Sequence, residues 1–207
     1  GFSLNLNNTV MVHEVIKGVR KHLPDVLVLV GGYAFYSHKL SLARNSELYD
    51  YVVVSEGEYS LPPLIKKLQE SFKTGVMPKD LPGILSRFDS PDRKWGAMPN
   101  VSDLSNQAFP RYEWLPYEFY RTYSANHTVP TCTSRGCSWS RCKFCCECAN
   151  YYSRKPKEFV DELEWHVKQG AHTFNLFESD INGDHDNLQN IMREIVRRGL
   201  KINIYGQ

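Results

Sequence analysis

The chain lacks long apolar runs, a large excess of either charge, and the pattern of a targeting sequence. No stretch of its 207 residues stays apolar for about 18 positions or more, so the sequence predicts no membrane-spanning helix. The formal net charge is +2 and the charged residues are interspersed, which gives no indication of a nucleic-acid partner. The first residues show neither an initiator Met nor a signal-peptide pattern, and both termini read as strand ends, so we expect a piece of a longer protein.

Cysteine is missing from the chain before Cys132 and is then concentrated in one short segment. Five of the six cysteines lie between Cys137 and Cys148. A disulfide framework spreads its cysteines along a small secreted chain, whereas clustered cysteines indicate a metal site in a reducing compartment. We therefore expect a metal-binding protein of the cytoplasm.

The first 74 residues alternate strand and helix patterns. Strands are predicted over 2–6, 26–30 and 51–54, and the unbroken apolar run at 26–30 is typical of a strand buried on both faces of a parallel sheet. Helices are predicted from Thr9 to Leu23 and from about Ser60 to Phe72, with Pro62 and Pro63 in the first turn of the second helix. This alternation predicts an α/β fold with a Rossmann-like open parallel sheet in residues 1–74.

The remainder of the chain divides into a connector and a second α/β region. Prolines recur from Pro78 to Pro116, so residues 75–125 are predicted to form a connector with one hairpin around 83–87 and an aromatic cluster at 112–120 that packs on a domain. In residues 126–207, strands at 128–133, 172–177 and 202–205 alternate with helices at 156–168 and 186–198. That pattern predicts a partial (β/α) barrel, under half of the about 250 residues of a complete one.

The segment from Ser134 to Cys145 carries three thiols just after a predicted strand. Four residues separate Cys137 from Cys142, and two separate Cys142 from Cys145. The short gap lets two sulfurs reach adjacent irons of a cluster, and the longer gap lets the loop wrap it. Three thiolates on a cubane of four irons leave one iron open for chemistry. The carboxyl ends of parallel barrel strands are also where active sites lie.

This loop resembles the cluster loop of radical S-adenosylmethionine (SAM) enzymes. The residues that carry the resemblance are Thr133–Gly136, the three cysteines, the Lys143–Phe144 pair, and Phe177–Asp184 as a second barrel strand and loop. The usual first gap of the family holds three residues, and some cobalamin-dependent members tolerate the four found here. The resemblance implies that Cys137, Cys142 and Cys145 hold a [4Fe–4S] cluster whose open iron chelates SAM. It places Phe144 beside the adenine. Glu178 and Asp180 lie at the carboxyl end of a predicted strand, where they are candidates to hydrogen-bond the SAM amino group or a substrate, with loop capping as the alternative.

Residues 1–74 resemble the cobalamin-binding domain that often precedes such barrels. The matching residues are Ser3 at a strand end, the pair Gly31 and Gly32, and the turn that contains Glu56 and Gly57. Paired glycines let the backbone approach a flat ligand closely, at the strand ends where open sheets bind ligands. The match is imperfect at Asn5, where the family has Leu. The resemblance implies that these residues contact cobalamin, with helix capping as the alternative for Glu56 and the favoured role for Glu58.

The resemblance implies a cobalamin-dependent radical SAM enzyme. Its commonest reaction is methyl transfer from methylcobalamin after a 5′-deoxyadenosyl radical has removed a hydrogen, and other radical rearrangements are alternatives. Methylthiotransfer is a closer alternative, against which the lack of cysteine before Cys132 counts. The implied partners are a small-molecule or peptide substrate and an electron donor such as flavodoxin or ferredoxin. We expect little turnover from these 207 residues alone.

A non-catalytic zinc or cofactor-binding module is the alternative from another class of protein. Cys142, Cys145 and Cys148 are evenly spaced and suit zinc together with Cys137 or a histidine, although no distant second ligand pair is evident. Under the cluster interpretation Cys146 and Cys148 are spare thiols. Cys132, inside a strand, is expected to act as a small buried apolar residue.

Overall fold

The chain folds into two units, each with its own sheet. The computed structural model describes residues 1–5, 7–37, 47–54, 56–90, 92, 104, 107–112, 128–145 and 150–206. The first unit runs from Gly1 to Val101 and the second from Ser102 to Gln207. Most of the predicted aromatic cluster, together with Cys146 and Cys148, lies outside the described residues, and the predicted domain limits at 74 and 125 stay predictions.

The first unit is an α/β sheet whose strands are mostly parallel. Its elements are β1 (Phe2–Ser3), α1 (Thr9–His22), β2 (Leu29–Gly31), α2 (Tyr33–Ser37), β3 (Tyr51–Val53), α3 (Gly57–Thr74) and β4 (Ile84–Ser86). The sheet order is β1-β2-β3-β4, with β1, β2 and β3 parallel and β4 antiparallel at the edge. Alternate apolar positions of β2 and β3 meet α1 in the core, where Ile16, Val30 and Val52 are buried.

Several predictions for this unit are wrong in detail, among them the strand predicted over 2–6, which covers only Phe2–Ser3 in the described residues. The strand predicted over Val26–Val30 covers only Leu29–Gly31, and Val26 is 38% exposed because it still belongs to the turn after α1. Helix α3 begins at Gly57, so Pro62 and Pro63 lie inside it rather than in its first turn. The predicted hairpin around 83–87 is instead the edge strand β4, which pairs with β3 across the intervening α3.

A buried carboxylate ties the elements of the first unit together. Asp50 is completely buried, and its carboxylate lies 2.6 Å from Arg20 Nη2 and 2.8 Å from Arg87 Nη2. The backbone N–H of Val28 donates to Asp50 Oδ2 at 2.6 Å. Arg20 belongs to α1, Val28 precedes β2 and Arg87 follows β4. Because Asp50 itself directly precedes β3, its side chain links a helix to three strands of the sheet.

The second unit begins the parallel βα series that the sequence predicts. Its elements are β5 (Thr128–Thr131), β6 (Ser134–Arg135), β7 (Tyr152–Ser153), α4 (Pro156–Lys168), β8 (Thr173–Leu176), α5 (His185–Arg197) and β9 (Asn203–Gly206). Strands β5, β8 and β9 form a parallel sheet in that order. Phe159, Leu163 and Ile191 of the helices pack on Val129 and Phe174 of the sheet. No helix in the described ranges is both long and apolar enough to cross a membrane.

We expect acid to weaken the packing of α4 against α5. Hydrogen bonds from Arg197 and Arg198 hold the pKa of Glu194 at about 2, below its ordinary 4.5. Arg198 also contacts Asp161 of α4 at 2.7 Å, so Glu194 supports the link between the helices. A depressed pKa gives stability that is complete above 4.5 and is lost as the pH falls towards 2. Urea unfolding of the Glu194→Gln variant should therefore show a smaller loss of stability over this interval than the unsubstituted chain, and equal losses would contradict the assignment.

Candidate functional site

The three-cysteine loop leaves the carboxyl end of β5 and is closed at its base by a short antiparallel pair. In that pair, Ser134 and Arg135 of β6 face Ser153 and Tyr152 of β7. The backbone N–H of Arg154 also donates to the carbonyl of Thr133 at 2.8 Å, which extends the closure by one residue. The sequence gives little indication of this pairing, because strands of two residues carry no measurable periodicity. The loop is thus fixed at the edge of the parallel sheet where active sites lie in such folds.

The first cysteine lies in a turn that hydrogen bonds define. The backbone N–H of Ser140 lies 3.4 Å from Cys137 Sγ, and the Ser140 hydroxyl donates to the Cys137 carbonyl at 2.6 Å. Ser140 has a φ of +45°, the left-handed conformation that closes a tight turn. The neighbouring Ser138 donates to Asp180 Oδ2 from its N–H at 3.1 Å and from its hydroxyl at 2.6 Å. The four-residue gap is therefore folded compactly after Cys137.

The other two cysteines lie on the outside of the loop. Cys142 and Cys145 are exposed, and the N–H of Cys145 donates to the carbonyl of Cys142 at 3.1 Å. Phe144 between them is 93% exposed, so its ring is open to a ligand. In the parts of the chain that the structure describes, no three His, Cys, Asp or Glu side chains are grouped tightly enough to bind one metal ion. The three thiols thus share one loop but not one coordination shell.

Glu178 fixes the junction between strand β5 and the loop. Its carboxylate accepts the N–H of Thr133 at 2.6 Å, the Thr133 hydroxyl at 2.7 Å and the Ser134 hydroxyl at 2.5 Å. Both of its oxygens are therefore engaged by the loop, as in the capping role that the sequence left open. A contact between Glu178 and SAM stays a prediction.

A buried ion pair that sequence reasoning missed lies beneath the loop. Arg154 Nη1 is 2.7 Å from Glu162 Oε2, and the Thr131 hydroxyl donates to Glu162 Oε1 at 2.6 Å. Glu162 is 1% exposed and Arg154 is 6% exposed. An acidic residue on the inward face of α4 is the one sequence signal for this pair, since buried charges require partners. The pair borders a cavity of about 250 Å³ that Cys132 and Phe177 also line.

Cys132 differs chemically from the loop cysteines. It is half-buried, and burial raises the pKa of its thiol, which the positive charges of Arg135 and Arg154 only partly oppose. A raised pKa keeps the sulfur protonated, whereas a metal ligand must be a thiolate. The strand predicted over 128–133 ends at Thr131, so Cys132 follows β5 rather than lying inside a strand, and it is half-buried rather than fully buried.

In the first unit, Ser3, Gly31 and Gly32 meet at the carboxyl ends of the parallel strands. Ser3 of β1 pairs in register with Gly31 of β2. Gly32 has a φ of +105°, and a Cβ added there would lie 2.6 Å from the carbonyl oxygen of Leu4 and 2.7 Å from Ser3 Oγ. A side chain at position 32 is therefore excluded by both conformation and space. The result is an edge made of backbone and one hydroxyl.

Glu56 and Gly57 follow β3 and reach the same edge of the sheet. Glu56 is the N-terminal cap position of α3, with an extended backbone, and its side chain makes no hydrogen bond to the helix end. A Cβ added at Gly57 would meet no atom within 4 Å. The five residues predicted for cobalamin thus lie at or just after the carboxyl ends of three neighbouring parallel strands, where open sheets bind ligands. The contacts themselves stay predictions.

The residues present fit the two groups that the resemblance implies. Thiolates are the usual ligands of iron–sulfur clusters, and a cluster binds each thiolate to a different iron, so its ligands need not converge on one point. Cys137 and Cys142 are thiols rather than disulfide partners, and both belong to a loop whose base is fixed. In the first unit, Gly32 is exposed and Gly31 is partly exposed at the strand ends, so this glycine edge of Ser3, Gly31 and Gly32 leaves backbone surface open to a flat ligand.

The two units define an architecture: an open parallel sheet with a glycine edge, followed by parallel βα elements with a three-cysteine loop. This is the fold of cobalamin-dependent radical SAM enzymes, and the predicted fold class is confirmed. The chain is similar to the radical SAM methyltransferase TsrM of Kitasatospora setae with tryptophan and a SAM analogue bound, at a TM-score of 0.65 and 23% identity over 92% of this chain and 36% of that chain. It is similar to OxsB, a cobalamin-dependent SAM radical enzyme with aqua-cobalamin bound, at a TM-score of 0.74 and 20% identity over 98% of this chain and 29% of that chain.

A relative is also found by sequence. The chain is 25% identical over 192 residues to the anaerobic magnesium-protoporphyrin IX monomethyl ester cyclase of Synechocystis sp., covering 91% of this chain and 37% of that protein. It therefore spans little more than a third of the length of this relative. No family model matches the chain. The resemblance to cobalamin-dependent radical SAM enzymes, predicted from the cysteine loop and from the pair Gly31 and Gly32, is confirmed.

Proposed function

We propose that the chain is part of a cobalamin-dependent radical SAM enzyme. The observation that carries the proposal is the three-cysteine loop, whose base is fixed by the β6–β7 pair at the carboxyl edge of a parallel sheet. Cys137, Cys142 and Cys145 bind a [4Fe–4S] cluster, and the edge formed by Ser3, Gly31–Gly32 and Glu56–Gly57 binds cobalamin. The neighbours support both cofactors, because a TsrM structure contains cobalamin and a [4Fe–4S] cluster.

Different residues of the loop and its surroundings bind the cluster, contact SAM and position the loop. With three thiolate ligands, a bound cluster supplies an open iron for the amino and carboxylate groups of SAM and the electron that cleaves it. Phe144, with its exposed ring, would lie beside the adenine of SAM, and Glu178 fixes the loop against β5. Cobalamin supplies a transferable methyl group when it is bound. An electron donor such as flavodoxin or ferredoxin, and a reducing cytoplasm, follow from this chemistry.

We propose methyl transfer to a small molecule or peptide as the reaction. The similarity to TsrM, a methyltransferase solved with tryptophan as its substrate, supports this assignment. The sequence relative named as a cyclase supports a second candidate, a ring closure. Product mass distinguishes them, since methylation adds about 14 Da to the substrate and a ring closure adds no methyl group.

Anaerobic reconstitution of the intact protein with iron, sulfide and cobalamin tests the proposal. We expect a brown protein with about four irons per chain, stoichiometric cobalamin, and 5′-deoxyadenosine or S-adenosylhomocysteine formed from SAM under reducing conditions. A colourless protein that contains one zinc per chain and leaves SAM intact would support the alternative zinc module. Such a result would overturn the assignment of the loop to a cluster.

A further inference from the structure

The loop after β8 places a second carboxylate against the cysteine loop. Asp180 Oδ2 accepts two hydrogen bonds from Ser138, the residue that follows the first proposed cluster ligand. The same oxygen lies 3.9 Å from Cys137 Sγ. Glu178, two residues earlier, is bonded to Thr133 and Ser134, so one short segment holds the cysteine loop at two points on either side of Cys137.

Gly183 lies against the Asp180 carboxylate that Ser138 contacts. A Cβ added at Gly183 would lie 2.9 Å from Asp180 Oδ2 and 2.5 Å from Cε2 of Tyr151. The backbone N–H of Gly183 lies 3.4 Å from the Asp180 carbonyl, so a turn brings this glycine back against the carboxylate. A larger residue at position 183 would have to displace the Asp180 carboxylate or the Tyr151 ring, so glycine leaves the space that the carboxylate occupies.

The turn that Asp180 holds also orients the sulfur of Cys137. With Ser138 fixed on the carboxylate, Ser140 closes the turn and its N–H faces Cys137 Sγ. Hydrogen bonds to ligand sulfurs and charges near them set the potential of an iron–sulfur cluster. Groups that orient metal ligands without binding the metal also change metal affinity about 10- to 100-fold when they are removed.

We propose that Asp180 is a positioning residue for the first cluster thiolate. Through Ser138 it holds the Cys137–Ser140 turn in the shape that presents Sγ to the cluster, and it places a negative charge beside that sulfur. This inference rests on the proposed assignment of Cys137 as a cluster ligand.

Four variants of the reconstituted intact protein test the role of Asp180. Asp180→Ala removes both hydrogen bonds, and we expect a chelator to extract iron at least about tenfold faster. Ser138→Ala removes one of the two and should give about a threefold increase. Asp180→Asn keeps an acceptor oxygen, so iron loss should stay within about twofold while the midpoint potential of the cluster becomes more positive. Asp186→Asn, an exposed acid in the first turn of α5, is the matched control and should change neither quantity.

The midpoint potential separates this role from a merely structural one. Asp180→Asn keeps the size of the side chain and removes its charge, so a residue that only fills space would leave the potential unchanged. If Asp180→Ala fails to fold by circular dichroism, the Ser138→Ala and Asp180→Asn variants decide the question. Iron loss and potentials equal to those of the unsubstituted protein in these two variants would overturn the inference. Cys137→Ala is measured in parallel: if it retains four irons, the proposed function fails, whereas unchanged Asp180 variants beside an iron-depleted Cys137→Ala refute only the positioning role.

Discussion

Replacing Cys142 by alanine is expected to abolish cluster binding, with iron in the reconstituted protein falling from about four atoms per chain to less than about one. Cys142 lies between the four-residue gap and the two-residue gap. Without it, only Cys137 and Cys145 of the three proposed ligands remain, and they are too far apart along the loop to take its place. Its side chain is exposed, which means that the substitution removes a ligand without opening a cavity in the core. The absorption contributed by the cluster should disappear with the iron, and SAM cleavage should become undetectable.

Two other cysteines serve as controls for this prediction. Cys132 is half-buried with a raised thiol pKa, so Cys132→Ala should retain the full iron content. Cys148→Ala should also retain it under the cluster assignment, whereas a zinc site built from Cys142, Cys145 and Cys148 would lose its metal. Iron retained in Cys142→Ala, or lost in Cys132→Ala, would refute the assignment of the three ligands.

Replacing Asp50 by alanine is expected to destabilise the first unit by about 3 kcal/mol, within the range for breaking a buried ion pair. The substitution leaves the buried N–H of Val28 without its acceptor and removes the shared partner of Arg20 and Arg87. Arg87 is half exposed, so its charge regains water and the loss stays below the upper limit of the range. Hydrogen exchange of the β2 and β3 amides, followed by mass spectrometry, measures the free energy of unfolding for this unit.

Matched substitutions show whether burial causes this effect. Arg87→Ala removes one partner from a position where the guanidinium is half exposed, and should cost no more than about 1 kcal/mol. Asp25→Ala removes an exposed carboxylate in the turn after α1, and should change the free energy of unfolding by less than about 0.5 kcal/mol. A loss below 1 kcal/mol for Asp50→Ala itself would show that the two arginines and Val28 find other partners.

The sequence predicts the elements with strong periodicity and fails where an element is short or depends on distant partners. Helix α4 was predicted over 156–168 and has those bounds, because its apolar positions repeat every three to four residues and Pro156 fits its first turn. Strand β4 was predicted as part of a hairpin because three residues after a proline-rich stretch resemble a local turn more than a sheet edge. Its pairing with β3 depends on a contact across the whole of α3, which no local pattern records.

The candidate site divides in the same way. The spacing of Cys137, Cys142 and Cys145, and the glycine pair at 31 and 32, are local patterns with chemical meaning, so the sequence indicates them directly. The Glu178 and Asp180 contacts that hold the loop join residues more than 40 positions apart, as between Ser138 and Asp180. Asp180 was noted from the sequence as a polar residue after a strand, but its partner depends on the register of β5 with β8, which only the folded chain shows.

Because the β6–β7 pair closes the base of the cysteine loop, the length of the loop can change without changing the register of the parallel strands. Its base is already closed by the register of Arg135 with Tyr152, and the Cys137–Ser140 turn is held separately, so an insertion after Ser140 adds mainly the closure entropy of a longer loop. That entropy grows slowly, by about 0.6 kcal/mol for each doubling of length. An added residue between Ser140 and Cys142 is therefore compatible with the alignment of β5 and β8.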